Sequence, residues 1–182
     1  LEFRRVLFRS VLGLQDIYVP AVAPWITTTS GATAVAKTET STNKLNYQGI
    51  SFANGVTNRA EFWWMPPRNW NAGTVKMTFH WLSTSSSTNS VVWFGSGVAF
   101  QDNTAIDAAQ GTQQSVTDAN NGASKVNISS QTAAITIGGS PAAGNPVQFR
   151  IERQSGGSDT LAAAALLLGV SIEYTISAGT AA

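Results

Sequence analysis

Cysteine is absent from the 182 residues. That excludes a disulfide framework, a thiolate metal site and a thiol nucleophile. Histidine occurs once, as His80, so a catalytic triad has little to draw on, and a lone histidine on a strand's polar face is more often a surface or interface residue than a base. Charge is sparse as well: Asp, Glu, Lys and Arg make up 12% of the chain, about half the usual globular share. The 11 basic and 10 acidic side chains leave a net +1. Arg4, Arg5, Arg9 and Glu2 lie in the first ten residues; without them the balance is 8 basic against 9 acidic, or −1. The pI near 8.3 is therefore set by that opening. The remainder has no basic footprint, which argues against nucleic acid and anionic membrane as partners.

Long apolar runs are also missing. The longest, "LAAAALLLGV" from Leu161 to Val170, is ten residues, short of the roughly 18 to 20 needed to span a bilayer. The opening "LEFRRVLFRSVLGLQD" fits a signal peptide poorly, because Arg9 interrupts its apolar stretch. Helical periodicity is confined to "NTAIDAAQG", where Asp102 to Thr104 would cap one short turn ended by Gly111.

What the chain does have is period 2. In "GTVKMTFHWL", Val75, Met77, Phe79 and Trp81 fall on one face, with Lys76, Thr78 and His80 on the other. "PVQFRIERQ" sets Val147, Phe149 and Ile151 against Gln148, Arg150 and Glu152. "LLGVSIEYTI" sets Leu168, Val170, Ile172, Tyr174 and Ile176 against Ser171, Glu173 and Thr175. Further strand candidates are "TAVAKTE", "KLNYQGISFA", "AEFWW", "VVWFGSGVAF", "QQSVTD" and "AAITIG", separated by turn signals such as "ANG", "NNG" and "GGSPAAGNP". About nine antiparallel strands with almost no helix predict an all-β sandwich, jelly-roll-like, with a closed barrel second. "STSSSTNS" from Ser83 to Ser90 reads as an exposed loop. Residues 34–182 are assigned to the sandwich. Residues 11–33, with two prolines in "PAVAP" and little alternation, are assigned to an extended N-terminal arm suited to assembly.

Chemistry-bearing constellations are few. Asp102, Asp107 and Asp118 have no calcium-loop spacing and read as capping and turn residues. Glu61 and Glu152 would serve glycoside hydrolysis only if the fold joined them across a cleft. "GSG" at Gly95 to Gly97 lies inside a strand pattern and marks a bulge. No catalytic residue, cofactor site or metal site is assigned. Trp63, Trp64, Trp70, Trp81 and Trp93 fall within 31 positions. Exposed tryptophan stacks on sugar rings, but Trp81 and Trp93 sit among apolar neighbours as core residues do, and adjacent Trp63 and Trp64 must point to opposite faces. One of that pair belongs outside the core. Tyr18, Val22, Trp25, Ile26, Trp63 and Trp64 are the interface candidates.

The opening "FRRVLFRS" resembles the in-frame translation of a sequencing-library adapter, which would make residues 1–10 an artefact of assembled environmental sequence; the alternative is a genuine basic arm. The runs "PPRNWNAGTVKMTFHWLS", "VVWFGSGVAFQDNTAIDAAQGTQQSVTD" and "AAITIGGSPAAGNPVQFRIERQSGGSDTLAAAALLLGVSIEYT" resemble a family of tailed-bacteriophage virion proteins over about Ile17 to Ile176. That resemblance implies a β-rich, non-enzymatic particle component located in the virion: a capsid decoration, head fibre or tail appendage. Its expected partners are further copies of itself, as a homotrimer, and other virion proteins, the major capsid protein among them. The alternative expectation is a glycan-binding module of a tail adhesin, with a host-surface glycan as ligand.

Overall fold

The computed structural model describes residues 13–34 and 37–177. The basic opening, residues 1–10, lies outside the described residues. Fourteen strands follow in chain order: β1 (Gly13–Pro20), β2 (Trp25–Ile26), β3 (Thr33–Ala34), β4 (Thr38–Glu39), β5 (Asn46–Tyr47), β6 (Ile50–Phe52), β7 (Asn58–Trp64), β8 (Lys76–Leu82), β9 (Ser90–Ala99), β10 (Gln114–Ala119), β11 (Val126–Ile128), β12 (Gly138–Gly139), β13 (Val147–Arg153) and β14 (Ala165–Ile176). The count exceeds the expected nine because five of these are two-residue pairings, too short to leave an alternating pattern. No helix occurs among the described residues; 102–110 is turn and bend rather than the expected helical turn.

Twelve of the strands form a jelly-roll-like sandwich of two six-stranded sheets, and β4 and β5 pair as a separate two-stranded ribbon. The first has the order β11-β8-β14-β6-β3, with β1 also paired to β14; the second has β10-β9-β13-β7-β2, with β12 on β9. Strands β6 to β9 switch sheets at each step, so the long strands face one another across the core. Among the described strands pairing is antiparallel except β12 with β9, and a single parallel bridge joins Gly31 to Arg59. The period-2 residues are where hydrophobic burial demands: Val75, Met77, Phe79, Trp81, Phe149, Ile151, Val170 and Ile172 are all at most 1% exposed, and Tyr174 packs against them. Phe79 stacks on Trp93, whose ring meets Phe52 and Trp81 edge-on.

Further expectations need correction. The alternation expected for Leu168 breaks, because a bulge between Leu167 and Gly169 reverses the parity; Leu167 is buried and Leu168 half-buried. Gly95 and Gly97 mark no bulge, since the β13–β9 register runs unbroken through both. They make room instead: a Cβ would lie 2.6 Å from Met77 Sδ at Gly95 and 2.7 Å from the Phe149 ring at Gly97. Asp118 is a strand residue rather than a turn residue, and accepts a 2.7 Å hydrogen bond from Trp81 Nε1.

The largest correction concerns the extended arm assigned to residues 11–33. Over the described residues, 13–33, the chain does not run off the domain. β1 pairs with β14 over eight positions from Gly13↔Ile176 to Pro20↔Gly169, and Ile17 and Val19 pack on the core. The chain then crosses through buried Ala21 to the second sheet, where β2 pairs with β7, and returns to the first as β3. The absence of a clean alternation reflects this crossing between sheets within about a dozen residues.

Candidate functional site

The outer face of the second sheet carries a dense polar array. Alternation puts Arg59, Glu61 and Trp63 of β7 and Gln148, Arg150 and Glu152 of β13 on that face, because Ala60, Phe62, Trp64, Phe149 and Ile151 fill the core. Register then decides the neighbours. Glu61 lies opposite Arg150 and Glu152 opposite Arg59, while Gln148 lies opposite Trp63. On the other side of β7, Trp25 lies opposite Glu61.

Each carboxylate is engaged by a guanidinium and an amide. Arg150 Nε donates to Glu61 Oε1 at 2.8 Å, with Nη2 in ion-pair contact with the same oxygen at 2.7 Å, and Gln148 Nε2 donates to Oε2 at 3.0 Å. Arg59 Nε donates to Glu152 Oε2 at 2.6 Å, and Gln154 Nε2 donates to Oε1. Gln110 Nε2 extends the array to Gln148 Oε1 at 3.3 Å. Such charge-assisted, two-point contacts fix planar groups in orientation. Trp25 stands at the edge with 66% of its surface exposed, and Trp63, at 38%, leans on Phe100 with ring centroids 5.2 Å apart. A depression of about 310 Å³ lies beside Trp25, lined also by Ile26, Thr27, Thr28, Thr29, Arg59, Glu61 and Arg150.

The fold does bring Glu61 and Glu152 to one face, on neighbouring strands. Glycoside hydrolysis needs one carboxyl free to give a proton and another free to attack or activate water. Here all four carboxylate oxygens accept from arginine or glutamine, so neither carboxyl stands free in this arrangement.

The other candidates scatter. Trp64 is not at an interface: it is 5% exposed and packs on Trp70, Phe149 and Tyr174. Parity required one of Trp63 and Trp64 to be inside, and it is Trp64. Val22, exposed, lies in the crossing between sheets, while Ile26 is 39% exposed beside Trp25. Tyr18 sits on the outer face of the first sheet, its hydroxyl donating to Leu168 O at 3.1 Å and its ring meeting His80 edge-on at 5.3 Å. Partial burial holds the Tyr18 phenol above its ordinary pKa and the His80 imidazole below its own. His80 Nε2 lies 2.9 Å from Ser171 Oγ. No carboxylate hydrogen-bonds the imidazole among the described residues, and the strand amides around Ser171 are engaged in the ladders with β1 and β8. The pair lacks the orienting group and the oxyanion donors that nucleophilic catalysis requires. Among the described residues no group of three metal-ligating side chains converges.

Arg59, Arg150 and the threonines at 27–29 were missed in the sequence. The arginines' signal was present only as polar positions of alternating strands, the threonines lie in the bend after β2, and the neighbours of each depend on strand order.

No protein-family model and no curated protein matches the chain. Among solved structures it is similar to the CBM36-1 domain of a multidomain xylanase from the hindgut metagenome of Trinervitermes trinervoides, at 10% identity over 92% of this chain and 99% of that one, with a TM-score of 0.42. It is similar to the family 11 carbohydrate-binding module from Clostridium thermocellum, at 13% identity over 94% and 92%, with a TM-score of 0.40. A third is a non-crystalline cellulose specific carbohydrate-binding module, CBM28, at 13% identity over 86% and 87%, with a TM-score of 0.41. Superpositions this loose carry no argument about function, and the two-sheet sandwich rests on the strand pairings of the chain itself.

Proposed function

We propose that this chain is a non-catalytic glycan-binding module, borne on a tailed-phage virion as part of an adhesin. One observation carries the reading: Trp25, 66% exposed, stands directly across the strand pair from Glu61 in the Glu61–Arg150–Gln148 array. An open indole offers its face to the C–H side of a pyranose. Planar guanidinia, held rigid by the glutamates they pair with, offer directed hydrogen bonds to a ring's oxygens and fix its orientation. The virion setting comes from the sequence resemblance. Affinity electrophoresis against a panel of soluble polysaccharides tests the binding claim. Retardation by at least one glycan is expected, and its loss in Trp25→Ala without a change in unfolding midpoint. Equal retardation of the variant would sink the proposal.

A second reading, a capsid decoration or head-fibre component assembling as a homotrimer and docking on the major capsid protein, is favoured by the other sheet. Leu14, Tyr18, Val126 and Ile128, each at least 50% exposed, lie on its outer face. Light scattering gives the solution mass that separates monomer from trimer. Image reconstruction of intact virions would locate the protein on capsid or tail.

A further inference from the structure

The hydrogen-bonding capacity left open in the Trp25 depression is unbalanced. Glu61 and Glu152 have every carboxylate oxygen occupied by a protein donor, and their side chains are recessed, 18% and 3% exposed. Gln148 is occupied at both ends, donating to Glu61 and accepting from Gln110. The guanidinia stand further out, each 33% exposed. Arg59 reaches Glu152 through Nε alone, and among the described residues no protein acceptor meets either of its Nη groups. Arg150 turns Nε and Nη2 to Glu61, leaving Nη1 likewise unmet. Thr27 commits its hydroxyl proton to Thr29 O at 2.8 Å, while the Thr28 and Thr29 hydroxyls can act either way. Of the charged side chains lining the depression, Arg59 and Arg150 outnumber Glu61. A ligand therefore meets fixed, positively charged donors and no free carboxylate acceptor.

The geometry points to an acidic glycan as the ligand of this depression: a polysaccharide bearing uronate carboxylates, one sugar stacked on Trp25 and its carboxylate received by the open edges of Arg59 and Arg150. The inference rests on the glycan-binding reading above and adds the charge of the sugar. A guanidinium fork matches a carboxylate in two parallel N–H···O bonds, whereas a neutral sugar hydroxyl would use one of them and bring a donor to a surface that already has donors in excess. Glu61 and Glu152 act here as positioning residues that hold the two arginines flat against the sheet.

Isothermal titration of the full chain with galacturonan, glucuronan and alginate oligosaccharides, each beside its methyl ester, separates charge from stacking. At least one acid is expected to bind about tenfold or more tighter than its ester. Raising salt to about 1 M should weaken the acid and leave the ester unchanged. Arg59→Lys and Arg150→Lys, which keep a cation for each glutamate but remove the fork, should each erase the preference; the salt titration needs no variant and stands if either fails to fold. Equal binding of acid and ester through Trp25 overturns the acidic-glycan inference and leaves the glycan reading intact. Poly-glutamate binding as tightly as the uronate oligomers also overturns it, since the site would then be an anion sink indifferent to sugar. Binding of no glycan, neutral or acidic, overturns both.

Discussion

Arg153 and Asp159 form a two-pronged ion pair inside the sandwich, Nε to Oδ2 and Nη2 to Oδ1 both at 2.8 Å, with the side chains 1% and 0% exposed. The remaining guanidinium donors go to the carbonyls of Phe52, Ala163 and Leu161, and Asp159 also accepts from the Val92 amide at 3.2 Å. The cluster ties β6, β9 and the 154–164 connection to the end of β13. Burial of an ion pair is costly, but so complete a set of partners offsets it; removing one member leaves the other charged and dry. Asp159→Ala should lower the unfolding free energy by about 3–5 kcal/mol, read by urea denaturation at neutral pH. A change under about 1 kcal/mol would show that solvent reaches the guanidinium in the variant.

Tyr18 lies across Gly169, where a Cβ would come within 2.2 Å of the phenol oxygen. Gly169→Ala must displace the ring and break its bond to Leu168 O. A loss of about 1–3 kcal/mol is expected. Tyr18→Ala in the same chain should relieve most of it, so a double-mutant cycle should give a coupling comparable to the single loss; strict additivity would contradict the contact.

The two tryptophans at the ends of the exposure scale should separate binding from stability. Trp64→Ala, in the core with Trp70 and Phe149, should cost about 3–5 kcal/mol. Trp25→Ala, at 66% exposure, should change stability by less than about 0.5 kcal/mol. Thermal or urea unfolding of both variants against the parent gives the comparison.

Removal of residues 1–20 takes β1 off β14, uncovering Val170 and Ile172 and deleting Ile17 and Val19. The truncated chain should lose about 2–4 kcal/mol, from two half-buried aliphatic side chains and the flank they cover. Unaltered stability would return the segment to the role of a detachable arm.

Burial holds the His80 pKa below its ordinary 6.5, so the unfolded chain binds the proton more readily than the folded one. Stability attributable to His80 is therefore full above pH 6.5 and falls as pH drops through 6.5 toward the folded-state value, levelling off below it. Asp118 has the opposite sign. Its pKa is raised above 3.8 by burial, partly countered by the Trp81 hydrogen bond, so acidification through its folded-state value adds stability and the gain levels off below 3.8. Unfolding midpoints between pH 5 and pH 8 should thus dip on the acid side in the parent and flatten in His80→Gln. An unchanged pH profile in the variant would remove His80 as the source.

The sandwich was legible because burial on one face of a strand writes a period-2 pattern that needs no knowledge of neighbours: Val75 to Trp81 and Val147 to Ile151 declare their inner faces by themselves. Composition alone likewise ruled out thiol and disulfide chemistry. Which polar residues meet depended on strand order and register, and these are long-range. Glu61 finds Arg150 only because β7 lies beside β13, and finds Trp25 only because a two-residue strand from the presumed arm lands on the other edge of β7. Arg153 reads as one more inward position of an alternating strand until the chain returns six residues later with Asp159. Alternation is a local consequence of backbone geometry and solvent; a site is a set of distances between segments, and those distances are set when the two sheets close over one core.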